Sequence, residues 1–160
     1  MDRPDPAADV VAALTARGQT LATAESLTGG LLGAAITAVP GASVAYVGGV
    51  VAYATPMKHR LAGVDADLLA AVGPVSEPTV IALAAGVRAA TGADWAVATT
   101  GVAGPASQDG HEPGEVWVGI AGPTLAATAV RYDFTGDRAA VRSAAVQAAL
   151  ALVAGALAAD

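Results

Sequence analysis

Leu21–Val39 reads LATAESLTGGLLGAAITAV. Its first four residues form an apolar run that predicts a short buried strand, Leu21 to Ala24. Its last nine predict a helix, Leu31 to Val39, stopped by Pro40-Gly41. Between them stand a carboxylate, two hydroxyls and two glycines. A strand passing through a Gly-rich turn straight into a helix sets the reading of the chain, because strands separated by helices imply parallel pairing with helices on the faces.

The flanking sequence continues the alternation. Upstream, Val10, Val11 and Leu14 have helical spacing from about Pro6 to Arg17, and Gly18 is a natural stop. Downstream, VGGVVAY predicts a strand from Val47 to Tyr53, with glycines marking close backbone approach. Thr55-Pro56 caps and starts a short helix, and Asp65 to Val72 forms another. Ser76-Glu77-Pro78 opens a helix to about Thr91, with Ser76 as N-cap. Trp95 to Thr100 reads as a third strand and Gly101 to Pro113 as a Gly/Pro-rich loop. Val116 to Ala121 and about Leu125 to Phe134 predict a hairpin around Gly122-Pro123. A last helix starts near Gly136-Asp137. The expected architecture is a three-layer α/β/α sandwich with a mixed, mostly parallel sheet of about five strands. Residues 6–160 are expected to form one domain behind a loose tail, residues 1–5.

Composition narrows the function. The chain has 160 residues, enough for a real core, and 54% are hydrophobic, too apolar for disorder. Only 4% are aromatic while alanine abounds, so elements must approach closely. A net charge of −6 argues against the broad basic surface of a nucleic-acid binder. Having no cysteine excludes disulfides, thiolate catalysis and Cys-ligated zinc. The N-terminus lacks an apolar signal core, and the C-terminal tract AALALVAGALAA reads as too short to cross a bilayer. A soluble cytoplasmic domain, without membrane contact, is the expectation.

In open α/β sheets ligands bind beyond the carboxyl ends of the strands. Three polar stretches lie there: TAESLTGG, AYATPMK and TTGVAGP. In the first, Gly29 and Gly30 let backbone approach a ligand, and the amides opening the next helix favour anions. Ser26 or Thr28 either attacks and binds, or merely caps that helix. In the second, Lys58 or Tyr53 is a candidate activator of a serine, provided Lys58 is buried enough to be neutral. The alternative is an ordinary exposed lysine. In the third, Thr99, Thr100 and amides near Gly101 can hold a polar group. Asp109, His111 and Glu112 match no ligand spacing and read as a solvated loop. Arg138 and Arg142 share a face in the first turns of the last helix, where cations oppose the helix dipole. A phosphate or neighbouring carboxylates would compensate them.

In series, AESLTGG, GVVAYATPMKHRLAGV, GPVSEPTV, TTGVAGP, PGEVWVG and FTGDRAAVR resemble the CinA C-terminal domain family, which includes nicotinamide mononucleotide amidases. The resemblance runs from about Val10 to Leu152. Departures fall at Leu27, where the family commonly has Cys, and at Thr100, where it has Ser. Two runs also differ: Tyr53-Ala54-Thr55 stands for Tyr-Ser-Asn, and His111-Glu112-Pro113-Gly114-Glu115-Val116-Trp117 lacks the family's Lys. Many members carry a second, pyrophosphatase-type domain, which is not expected within these 160 residues. The resemblance implies hydrolysis of the nicotinamide carboxamide to nicotinic acid mononucleotide and ammonia. Ser26 is the implied nucleophile, with Tyr53 and Lys58 as activating partners. Glu25, Thr28, Gly29, Gly30, Thr100, Gly101, Arg138 and Arg142 are the expected substrate-binding residues. No metal or cofactor is implied. The expected partners are a small nucleotide and further copies of the chain, from its Ala-rich helix faces and the family habit. The other reading is a non-catalytic nucleotide-sensing or partner-binding module linked to competence or DNA damage.

Overall fold

A computed structural model of the chain describes residues 5–160. Four of the five residues expected as a tail lie outside the described residues; the fifth, Asp5, is the N-cap of the first helix. Its carboxylate accepts from the Ala7 N–H at 3.0 Å, Pro6 opens the helix, and Gly18 ends it in the left-handed region. This helix, α1, spans Pro6–Arg17. The chain then runs β1 (Leu21–Glu25), α2 (Leu31–Thr37), a 3-10 turn (Ala42–Val44), β2 (Tyr46–Val51), α3 (Thr55–Ala62), α4 (Ala66–Val72), α5 (Glu77–Thr91), β3 (Trp95–Gly101), β4 (Glu115–Ala121), β5 (Thr128–Asp133) and α6 (Arg138–Ala159). Ser76 caps α5 through the Thr79 N–H, and Asp137 caps α6 through the Ala140 N–H.

The five strands form one sheet in the order β2-β1-β3-β4-β5. β1 pairs in parallel with β2 and β3, whereas β3–β4 and β4–β5 are antiparallel. The sheet is mixed, but evenly split rather than mostly parallel. The hairpin accounts for one antiparallel pair. The other arises because the loop after β3 folds back and returns the chain beside it, which residue patterning in the loop did not signal.

Strand alternation divides the side chains between two apolar clusters. Leu21, Val97, Val118 and Ile120 pack with α1, α2 and α6. Ala22, Ala24, Ala96, Ala98 and Ala121 pack with α3, α4 and α5. The alanine-lined face lets α5 lie unusually close. A Cβ added to Gly119 would stand 2.5 Å from the Val80 carbonyl oxygen, so the scarcity of large residues follows from the packing. By length and composition α6 is apolar enough to cross a membrane, although its tract was expected to be too short. Its stripe of Val141, Ala145, Ala149, Leu150, Val153 and Leu157 is buried in the core.

The parallel trio places the ends of β1, β2 and β3 on one rim. Glu25 is in register with Val51 and Thr99, and the Ala52 N–H donates to the Glu25 carbonyl at 2.8 Å. The three polar stretches therefore leave the sheet side by side.

Candidate active site

The turn after β1 is held from within. Glu25 is buried, and its carboxylate accepts from the N–H groups of Gly30 (3.2 Å), Leu32 (2.9 Å) and Gly33 (3.0 Å). It therefore takes the place of an N-cap for α2, where a negative group also suits the helix dipole. Glu25 was expected to bind substrate; its two oxygens are instead engaged with α2. Neither Ser26 nor Thr28 caps the helix. Thr28 bonds Thr99 hydroxyl to hydroxyl at 2.9 Å, and the Ser26 N–H donates to the Thr99 carbonyl at 3.1 Å. Gly29 and Gly30 have φ of 57° and 103°, the left-handed region that turns the chain into α2. Their N–H groups already meet the Ser26 carbonyl and the Glu25 carboxylate. The amides expected to receive an anion at Gly29 and Gly30 are thus occupied. The neighbouring N–H groups of Leu27 and Thr28 have no acceptor among the described residues.

This leaves the Ser26 hydroxyl to Lys58. Thr55 is the first residue of α3 rather than its cap: Ala54 holds that position without a side-chain bond. Lys58, one turn in, points inward and is only 1% exposed. Its Nζ donates to Ser26 Oγ at 3.0 Å, to the Ala52 carbonyl at 2.8 Å and to the Tyr53 carbonyl at 3.2 Å. Burial pushes the amine down to about 8. The bland alternative of a solvated lysine does not hold. A hydroxyl 3.0 Å from an amine that is part-neutral near pH 7 has the geometry of a nucleophile and its base.

The other expected residues separate into two groups. Tyr53 and Arg138 line the same cleft, along with Thr100 and Gly101. Tyr53 is 59% exposed as a residue, and its phenol accepts from Arg138 Nη2 at 3.1 Å; it is Tyr53's backbone carbonyl that reaches Lys58. Arg138 Nη1 donates to the Gly104 carbonyl at 2.7 Å. Thr100 uses its hydroxyl on the Pro74 carbonyl at 2.7 Å, fixing the approach to α5. Gly101 is required by packing, since a Cβ there would lie 2.5 Å from the Glu115 carbonyl oxygen. Arg142 turns away from the cleft toward the first turn: Nε donates to the Leu27 carbonyl at 2.9 Å and Nη2 to the Thr28 carbonyl at 3.2 Å. Neither arginine has a carboxylate within ion-pair distance among the described residues. His111 pairs with Glu115 at 2.9 Å.

The cleft has a volume of about 550 Å³, and none of the residues lining it is acidic. A depression of about 600 Å³ between α5 and the β4–β5 turn is lined mainly by alanine and glycine, and its one charged group, Arg88, donates to the Asp94 carbonyl. It brings no nucleophile and base together. The groups sequence reasoning missed are the backbone carbonyls of Ala52, Tyr53, Pro74 and Gly104. Side-chain identity carries no signal for them.

Comparison with known proteins gives the chain its family and its fold. Residues 4–157 match the model of the CinA C-terminal domain. The chain belongs to the CinA C-terminal domain family. Among its relatives are a CinA-like protein of Frankia casuarinae, 51% identical over 145 residues, and one of Anaeromyxobacter dehalogenans, 50% identical over 145. Each alignment covers 90% of this chain but only 33% and 35% of the respective relative, so the CinA domain spans about a third of their length. Among solved structures, a CinA superfamily protein of Klebsiella pneumoniae superposes with a TM-score of 0.92 at 37% identity, covering 98% of this chain and 99% of that one. The competence/damage inducible protein of Agrobacterium tumefaciens gives 0.90 at 29%, covering 98% of each. CinA family membership and the overall fold thus agree.

Proposed function

We propose that this domain hydrolyses the carboxamide of nicotinamide mononucleotide to nicotinic acid mononucleotide and ammonia. The observation that carries the proposal is the buried Lys58 amine 3.0 Å from the Ser26 hydroxyl. Neutral Lys58 takes the Ser26 proton as Oγ forms a bond to the amide carbon. The free N–H groups of Leu27 and Thr28 are the candidate donors to the resulting oxyanion. The C–N bond then breaks, and the proton held by Lys58 leaves with ammonia. Water attacks the acyl-serine, Lys58 accepts its proton, and Ser26 regains one as the acid departs. Every step is a proton or acyl transfer among these groups. Apolar side chains exposed on edge strand β2, Val47 and Val51, together with Leu31 and Val44, support assembly into a homo-oligomer.

The test is ammonia release from nicotinamide mononucleotide by the purified protein. Ser26→Ala is expected to lower it at least ~1000-fold with circular dichroism unchanged. Absence of turnover in the unsubstituted protein, with tight nucleotide binding retained, would reject the amidase and favour a sensing module.

A further inference from the structure

We propose that Tyr53 and Arg138 act together as an anion clamp for the ligand's phosphate, and that the Tyr53 phenol carries no proton for Ser26. The inference deepens the amidase reading of the cleft and rests on it.

The first argument is a count at Lys58. An ammonium has three hydrogens. At Nζ they are directed to Ser26 Oγ, the Ala52 carbonyl and the Tyr53 carbonyl. Once one proton is lost, the two carbonyls still need two donors, so the lone pair turns to Ser26. No position at the nitrogen is left for a phenol. Tyr53 serves Lys58 through its backbone, which any residue at that position supplies.

The second argument is where the phenol does go. Its oxygen accepts from Arg138 Nη2 at 3.1 Å. Its own hydrogen remains available as a donor on an exposed ring at the cleft mouth. Arg138 uses one N–H on Tyr53 and one on the Gly104 carbonyl, out of five. The remaining fork suits the oxygens of a phosphomonoester. Its charge has no carboxylate partner among the described residues, Asp137 beside it is bonded to the Ala140 N–H, and no acidic residue lines the cleft. A cation at the start of α6 opposes the helix dipole, and a bound anion removes that conflict. Arg142, facing the Leu27 and Thr28 carbonyls, is not part of the clamp.

The experiment compares the nucleotide with its phosphate-free nucleoside in the unsubstituted protein, Tyr53→Phe, Arg138→Ala and the double variant. Kinetics follow ammonia, and calorimetry follows binding of the product nucleotide and nucleoside. The ratio of kcat/KM for nucleotide over nucleoside is expected to fall about three- to tenfold in Tyr53→Phe, through KM. In Arg138→Ala the preference should vanish, and the double variant should lose little more, because the pair acts as a unit. The pH midpoint of kcat should be the same in Tyr53→Phe as in the unsubstituted protein. A hundredfold fall in kcat, a displaced midpoint, or equal losses on both substrates would overturn the clamp. Should the unsubstituted protein release no ammonia, the amidase reading fails and calorimetry decides the clamp. Nucleotide preference lowered in Tyr53→Phe and lost in Arg138→Ala upholds it; equal binding of nucleotide and nucleoside by the unsubstituted protein, or a preference unchanged in both variants, sinks it.

Discussion

Raising the pH is the most direct perturbation of the Ser26–Lys58 pair. With the amine at about 8, roughly a tenth of Lys58 is neutral at pH 7, about half at pH 8 and about nine-tenths at pH 9. An amine at its ordinary value of 10.5 would be neutral in only about three molecules in ten thousand at pH 7, so burial enlarges the reactive population roughly 300-fold. The sign follows from desolvation, which disfavours the charged form and so lowers the value of a base. kcat/KM for ammonia release should therefore climb about tenfold from pH 7 to pH 9 and level off near pH 9. Starting at pH 7 keeps the substrate phosphate, which ionises near ~6, out of the profile. Lys58→Ala should lose both activity and the midpoint near 8, and a small exogenous amine should restore turnover along the amine's own titration. A profile that keeps rising to pH 10, one that is flat across this range, or a midpoint near 8 persisting in Lys58→Ala would refute the assignment.

Two further outcomes concern the turn that carries Ser26. Arg142→Ala removes both donors to the Leu27 and Thr28 carbonyls and should lower kcat about 10- to 100-fold with little change in KM; a loss confined to KM would place Arg142 on the substrate instead. Glu25→Ala leaves one buried and two half-buried N–H groups of the turn and α2 without an acceptor and should cost about 3 kcal/mol in urea unfolding, with Glu25→Gln costing less; a loss below about 1 kcal/mol would dismiss the carboxylate as a helix cap.

Much of this protein is written locally. Ser76 as a cap, Gly18 as a stop, the helix start near Gly136-Asp137, and the strands at Leu21 and Trp95 depend on neighbours a few residues away, and the structure has each where its pattern places it, whereas Asp5, expected in the loose tail, is the N-cap of α1. The motifs with their serine and lysine were equally visible, because residue type and spacing are properties of the chain. Partnership was not. Whether a carboxylate meets a ligand or a helix, as at Glu25, depends on which amides its strand end faces. Whether a lysine is a solvated cation or a half-neutral base, as at Lys58, depends on how closely α3 is pressed onto the sheet, and the energy of removing its charge from water exists only once that packing is complete. Tyr53 and Arg138 are 85 residues apart in sequence and become neighbours only when α6 packs against α2, β3 and β4. Local chemistry named the participants. Long-range burial and strand register assigned their partners, since hydrogen bonds and desolvation depend on distances that the linear order does not contain.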